Sequence, residues 1–355
     1  MNSAFMPEDV TLLLEDITGK IQPKPTSERE RLIQSGVHYS EMLPLEQRPS
    51  EQYLREYYHA LETFANQTAE ALAIVCEKVY AAKGSKIVLA SLARAGIPIA
   101  ILMKRYLKNK YKILPSHYAI SIIRGKGIDE KALEYIMCRH SHKNIVFVDG
   151  WTGKGAILSE LLKAIEGKFD VKDKRKLLAV LADPANVTDF FGTRDDFPIA
   201  SSCLNSTVCG LISRTVLLPN SDGTKFHGAC FYKELKQEDR TYEFIDEIEK
   251  RISYDMVISF EKQSQNTDVY GFEEVKLIAE HFGVRDVSFV KPGIGETTRV
   301  LLRRVPDKVL IAENTDEKYI SHILKLAEEK KVPIVFYPLK SYKACGIIKK
   351  LSADI

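Results

Sequence analysis

This chain has little of what staples small secreted or metal-dependent domains together. Its six cysteines, Cys76, Cys138, Cys203, Cys209, Cys230 and Cys345, are scattered over 355 residues, and no two of them form a Cys-x-x-Cys pair. That spacing argues against a zinc site and against a disulfide framework. No apolar run approaches the roughly 20 residues needed to span a bilayer, and the opening MNSAFMPEDV has no basic stretch ahead of an apolar one. A cytoplasmic protein with no membrane partner is the expectation. Tryptophan occurs once, as Trp151.

What is present describes an ordinary globular chain, with 45% hydrophobic and 28% charged residues, long enough for two domains. The net charge of +3 is unevenly shared: from Val284 onward there are ten Lys and four Arg against four Asp and five Glu. A basic C-terminal module on a slightly acidic body suggests division of labour.

Four prolines, at 23, 25, 44 and 49, break the first fifty residues into an extended or short-helical arm. An amphipathic helix is predicted from about Glu51 to Ala82, with Gly84 as its C-cap. Short apolar runs then alternate with helical segments. KIVLAS, HYAISII, NIVFVD and KLLAVLAD read as strands; helices are predicted over about Gly96 to Lys108, Asp129 to Arg139 and Gly153 to Glu166. The pattern predicts an α/β fold, a parallel sheet with helices on both faces, whose ligands bind beyond the carboxyl ends of the strands. After Asp183 the pattern turns irregular and closes with a helix from about Tyr242 to Phe260. A polar stretch, EKQSQNTDVYG, reads as a linker, and a compact α/β alternation follows. The expected domains are 1–262, a linker with connecting helix over 263–283, and 284–355.

Three loops at consecutive strand ends suit anions. In IVFVDGWTGKGAI, Asp149 ends a strand and offers an acceptor for hydroxyls or, through water, a divalent cation. Gly150, Gly153 and Gly155 leave backbone N–H groups open, and Thr152 and Lys154 add a hydroxyl and a charge. A nucleotide phosphate loop needs GxxxxGK[ST], which this run does not satisfy. ASLARAGIPIA places Arg94 and Gly96 at an earlier strand end, and ISIIRGKGID places Arg124 and Lys126 between glycines in a hinged basic loop. Trp151 either stacks on a ligand or packs the loop.

The three loops together resemble the type I phosphoribosyltransferases. More closely, SLARAGIPIA, HYAISIIRGKGID, VDGWTGKGAI and IASSCLNSTVCGLISRTV resemble the family first labelled StiP-type cysteine proteases and later regarded as phosphoribosyltransferases of tellurite-resistance and stress operons. The resemblance implies a type I phosphoribosyltransferase-like sheet that uses phosphoribosyl pyrophosphate (PRPP) and Mg²⁺ to ribosylate a nucleobase-like acceptor. Ser91, Ala93, Ala95 and Gly96 would line the pyrophosphate loop. Arg94, Arg124 and Lys126 would stabilise the leaving group, Thr152, Gly153, Lys154 and Gly155 would hold the 5′-phosphate, and Asp149 would anchor the ribose and, through water, the metal. The loop carries one acid where that family has two. The hood over the acceptor would come from the arm and from Phe190 to Thr215.

The tail, GIGETTRVLLRR followed by KVLIAENTDEKYISHILKLAEEKKVPIVFYPLKSYKACG, resembles the Pelota RNA-binding fold. There a helix start at Gly293, Glu296 and Arg299 would face structured RNA. The family's protease label implies instead a cysteine nucleophile with a basic partner. Cys203, Cys209 and Cys230 are the available thiols and His227, His140 and His142 the available imidazoles, but no local signature joins them. A transferase is therefore the first expectation, with a cysteine protease or a non-catalytic RNA-binding regulator as the alternatives and a homodimer as a possible assembly.

Overall fold

A computed structural model of the chain describes residues 1–46, 48–170, 173–217, 225–255 and 271–350. The arm contributes β1 (Thr11–Leu12), β2 (Glu15–Asp16) and α1 (Thr26–Gln34). Then comes α2 (Glu51–Lys83), the predicted long helix. Ser50 starts it by accepting the Tyr53 N–H at 3.2 Å, and Gly84, at φ 65°, ends it. Tyr57, Leu61, Phe64, Thr68, Leu72, Val75 and Val79 recur at helical spacing along α2, and all are buried.

The sheet elements follow as β3 (Val88–Leu92), α3 (Gly96–Tyr111), β4 (Ser116–Ile120), the small hairpin β5 (Ile122–Ile123) and β6 (Gly127–Ile128), α4 (Glu130–Met137), β7 (Ile145–Val148), α5 (Ala156–Ile165), β8 (Leu178–Ala182) and β9 (Phe190–Thr193). Six strands pair in the order β1-β4-β3-β7-β8-β9, all parallel. Alternate side chains feed opposite faces. Leu89, Ala119, Val146, Val148 and Leu181 pack toward α2 and α3, while Val88, Ala90, Ile120, Phe147 and Val180 pack toward α4 and α5. Burial on both faces is why these strands read as continuous apolar runs.

The strip β10 (Gly228–Ala229) pairs with β2, and α6 (Thr241–Glu249) packs on α2 and α3. That helix was expected to run on to Phe260. The positions beyond 255, like the expected linker over 263–270, lie outside the described residues.

The smaller C-terminal unit comprises α7 (Gly271–His281), β11 (Val290–Pro292), α8 (Ile294–Arg303), β12 (Pro306–Ala312), α9 (Glu317–Glu329), β13 (Ile334–Tyr337) and β14 (Ala344–Ile348). Its sheet runs β11-β14-β12-β13, with only β12 and β13 parallel. One face of this sheet, with Val290, Leu310, Cys345 and Ile347, packs on α7. The other face is not a self-contained core. Val309, Ile311 and Ala344, with Ile294 and Leu301 of α8 and Ile320, Ile323 and Leu326 of α9, belong to the same apolar cluster as α2 and α3.

Polar contacts reinforce that continuity. Arg304 binds Glu30 of the arm through Nε at 2.5 Å and Nη2 at 2.9 Å, Lys325 pairs with Glu56, and Lys343 pairs with Asp195. Asp196, almost fully buried, accepts the Ile294 N–H at 3.0 Å and the Lys343 N–H at 2.8 Å, capping α8 from across the interface. No described helix is long and apolar enough to cross a membrane.

Candidate active site in the crossover crevice

From β3 the chain moves outward to β4, then returns to lay β7 on the other side of β3. That reversal opens a crevice at the carboxyl ends of β3 and β7, where open parallel sheets bind their ligands. The loop after β3 carries Arg94 and Gly96, and the loop after β7 carries Asp149 through Gly155. The two approach so closely that a Cβ on Gly96 would stand 2.1 Å from the Val148 carbonyl oxygen. Only glycine fits there. The Ala93–Arg94 peptide is cis. Ser91 is buried, bonded to His117 Nε2 at 2.8 Å.

The loop after β7 is largely occupied by the protein itself. Thr152 donates its hydroxyl to Asp183 at 2.5 Å and its N–H to the Ala182 carbonyl at 3.0 Å. Lys154 extends across the interface, its ammonium on the carbonyls of Val287 at 2.5 Å and Val290 at 3.1 Å. The Gly153 carbonyl accepts the Tyr342 hydroxyl at 2.8 Å. Burial lowers the Lys154 ammonium to about 8. The groups expected to cradle a phosphate thus hold the C-terminal unit in place. Among the expected leaving-group cations, Arg124 is half-buried and Lys126 is exposed.

Helix α8 roofs the crevice. Gly293 and the Ile294 N–H meet Asp196, Glu296 pairs with Arg299 at 2.9 Å, and the Arg299 guanidinium lies 4.3 Å over the Trp151 ring. Gly293, Glu296 and Arg299, the positions expected to face RNA, therefore face the first domain. A Cβ on Gly295 would fall 2.4 Å from Trp151 Cε2, so the single tryptophan fills the seam. Gly295→Ala is accordingly expected to push α8 off the crevice, costing about 1–3 kcal/mol. A red shift of Trp151 fluorescence under native conditions is the readout, and an unshifted spectrum would show that the seam tolerates the methyl group.

The polar residues that remain open to the crevice are charged. Asp149 is half-buried and, among the described residues, accepts only its neighbour's N–H, from Gly150 at 2.8 Å. Burial pushes its carboxyl up to about 6, against the pull of Arg299. Because the folded value lies above the unfolded 3.8, this group's contribution to stability is full below 3.8 and is lost as pH rises through about 6. Asp149→Asn is therefore expected to raise stability by about 1–2 kcal/mol above pH 6, with no gain at the acid end. Thermal melts across that range check it.

Arg94 donates from Nη1 to the Ile212 carbonyl at 2.8 Å and stands 3.8 Å from Glu46. That bond pins the turn from Cys209 to Ile212, whose N–H groups return to Ser206 and Cys209. Cys209 is buried, and its charged neighbours are Arg94, Arg299, Arg303 and Glu46. Burial raises the thiol, and the three guanidinium groups oppose the rise. Arg303 lies one turn beyond Arg299 on α8; burial and Arg94 depress it to about 9. Sequence reasoning had named Cys209 among three thiols but missed Glu46, Arg214 and Arg303, which lie far apart in the chain and belong to no motif.

The other thiols sit elsewhere. Cys76, Cys203, Cys230 and Cys345 are buried, Cys138 is exposed, and burial pushes Cys203 up to about 12. Among the described residues no hydrogen bond joins a cysteine to an imidazole. His227 bonds Ser121 at 2.8 Å and His140 bonds the Tyr118 hydroxyl at 2.9 Å, while the His142 ring lies tilted against Phe169. The described residues contain no cluster of three or more His, Cys, Asp or Glu suited to a metal ion.

Comparison with known proteins corrects the first expectation. Residues 3–249 match the family described as tellurite-like stress resistance cysteine protease StiP, and residues 269–350 match the PELOTA RNA binding domain. A relative from Acinetobacter baylyi, named Cysteine protease StiP, is 34% identical over 99% of this chain and 94% of its own length. No solved structure matches. These matches name a protease, a hydrolase, and overturn the reading of a phosphoribosyltransferase acting on PRPP. The physical reason for the error lies in the loop after β7, whose hydroxyl and ammonium are bonded within the protein. On the full-length match and the family model together, the chain belongs to the StiP family of tellurite-like stress resistance cysteine proteases.

Proposed function

We propose that this chain is a cysteine peptidase whose nucleophile is Cys209. The observation that carries the reading is the placement of the thiol: Cys209 opens the turn that Arg94 pins through the Ile212 carbonyl at 2.8 Å, and Arg94, Arg299 and Arg303 favour its thiolate against burial and Glu46. Nearby cations stabilise a thiolate and an oxyanion alike. The relative from Acinetobacter baylyi, matched along nearly the whole chain, is named a cysteine protease, which agrees with this reading.

At rest the buried thiol is protonated, so its proton must leave as sulfur attacks a peptide carbonyl. Asp149, ionised above about pH 6 and sharing Arg299 as a neighbour, is the acceptor in the same crevice. As the S–C bond forms, the carbonyl π pair moves onto oxygen, where the Arg94 and Arg299 guanidinium groups meet it. The C–N bond then breaks, the amine leaves with the proton, and water hydrolyses the thioester to restore the thiol.

Alkylation with iodoacetamide, mapped by peptide mass spectrometry, tests the assignment. Cleavage of a peptide library is expected to fall in step with modification of Cys209 and to ignore modification of the exposed Cys138. Loss that follows Cys138 instead overturns it.

A further inference from the structure

The crevice holds more positive charge than it neutralises. Arg94, from the loop after β3, has Glu46 at 3.8 Å, and Arg299 has Glu296 at 2.9 Å. Arg214 donates to the Tyr39 carbonyl at 2.9 Å and lies 4.3 Å over the Tyr39 ring, with no carboxylate partner among the described residues. Arg303 has a buried Nε with no hydrogen-bond partner. It stands four residues after Arg299, so the two like charges share one face of α8, an arrangement that destabilises a helix unless an anion separates them.

The nearby serines do not offset this surplus. Ser206 is fully buried and turned to Glu46, which takes its N–H at 3.2 Å and interacts with its hydroxyl, and Ser202 is buried against Cys203. Buried polar groups are satisfied in the great majority of cases, so a buried guanidinium nitrogen without a hydrogen-bond partner, beside a guanidinium that has no carboxylate among the described residues, marks where a ligand's acceptors go.

Resting on the peptidase reading, we infer that this arginine cluster is a subsite for an acidic side chain of the substrate. The substrate carboxylate lies between Arg303 and Arg214 and thereby sets the scissile bond over Cys209. Arg303 and Arg214 are then specificity residues rather than groups that move a proton.

The test uses the full-length chain and peptides that carry Asp or Glu beside the cleaved bond, each paired with its Asn or Gln counterpart. The acidic member is expected to be cleaved at least about tenfold faster in kcat/KM. Arg303→Gln is expected to erase that preference while Arg303→Lys, which keeps the charge, retains part of it. Inorganic phosphate is expected to compete with the acidic peptide and not with its neutral partner. In parallel, calorimetry on Cys209→Ala compares binding of the Glu and Gln peptides without any cleavage. Cleavage that ignores the acidic residue overturns the subsite and leaves the peptidase reading standing. Equal binding of the two peptides to Cys209→Ala overturns it even if no turnover is seen. Absence of cleavage of every peptide, with Cys209 inert to alkylation, sinks the peptidase reading itself.

Discussion

Alanine at position 209 is expected to lower peptide cleavage by about 10³-fold or more, because no other described thiol has the same cationic surroundings to take over the attack. The fold is expected to survive. Cys209 ends a turn held by backbone hydrogen bonds and by Arg94 on the Ile212 carbonyl, neither of which uses the sulfur. Removing one buried sulfur costs about 1 kcal/mol. Activity and stability should therefore separate cleanly, with kcat lost and the melting temperature displaced by a few degrees at most. Serine at the same site distinguishes chemistry from packing. It keeps the volume and loses the soft nucleophile, so it should be as inactive as alanine. Retention of substantial turnover in Cys209→Ser would falsify the assignment of the nucleophile.

Arg194→Met is expected to be the most destabilising single change in the first domain, costing about 3–5 kcal/mol, or on the order of 10 °C in melting temperature. Asp183 has no exposed surface, and it accepts from Thr152 Oγ1 at 2.5 Å, the Val187 N–H at 2.9 Å and the Thr188 N–H at 3.0 Å, with Arg194 as its countercharge. Burial already holds its carboxyl above the usual range, with Arg194 pulling the other way. Without the guanidinium the folded value rises further. Folding then takes up a proton that the unfolded chain does not hold, so the loss is largest at neutral and alkaline pH and is relieved as pH falls. Denaturant melts at two pH values read this directly. The double variant Asp183→Asn, Arg194→Met should recover most of the loss, because it leaves no unpaired buried charge. Thr152 joins this network to the loop after β7, so the same pair also anchors the floor of the crevice.

The division between legible and hidden features runs along the range of the interactions involved. The helix over Glu51–Lys83 was readable because its apolar residues recur at helical spacing and Gly84 ends it. The strands at β3, β4, β7 and β8 were readable as short apolar runs because each is buried on both faces. Strand β9 was not, since Phe190–Thr193 sits in an irregular stretch and becomes a strand only by pairing with β8. Strand β14 escaped for a similar reason: Ala344–Ile348 lies between β11 and β12, and its place in the sheet is set by antiparallel partners more than thirty residues away.

The amino-acid sequence by itself determined the α/β alternation, the parallel sheet and the loops at its strand ends, because each depends on local periodicity and turn residues. Only the tertiary structure decided what those strand ends do. It spent Thr152 and Lys154 on internal partners, turned Gly293, Glu296 and Arg299 inward against the first domain, and drew Glu46 and Arg303 from distant segments toward Cys209. The physical reason is that a side chain's hydrogen-bonding capacity and charge are finite. Which partner uses them depends on packing between segments hundreds of residues apart, and no local pattern encodes that.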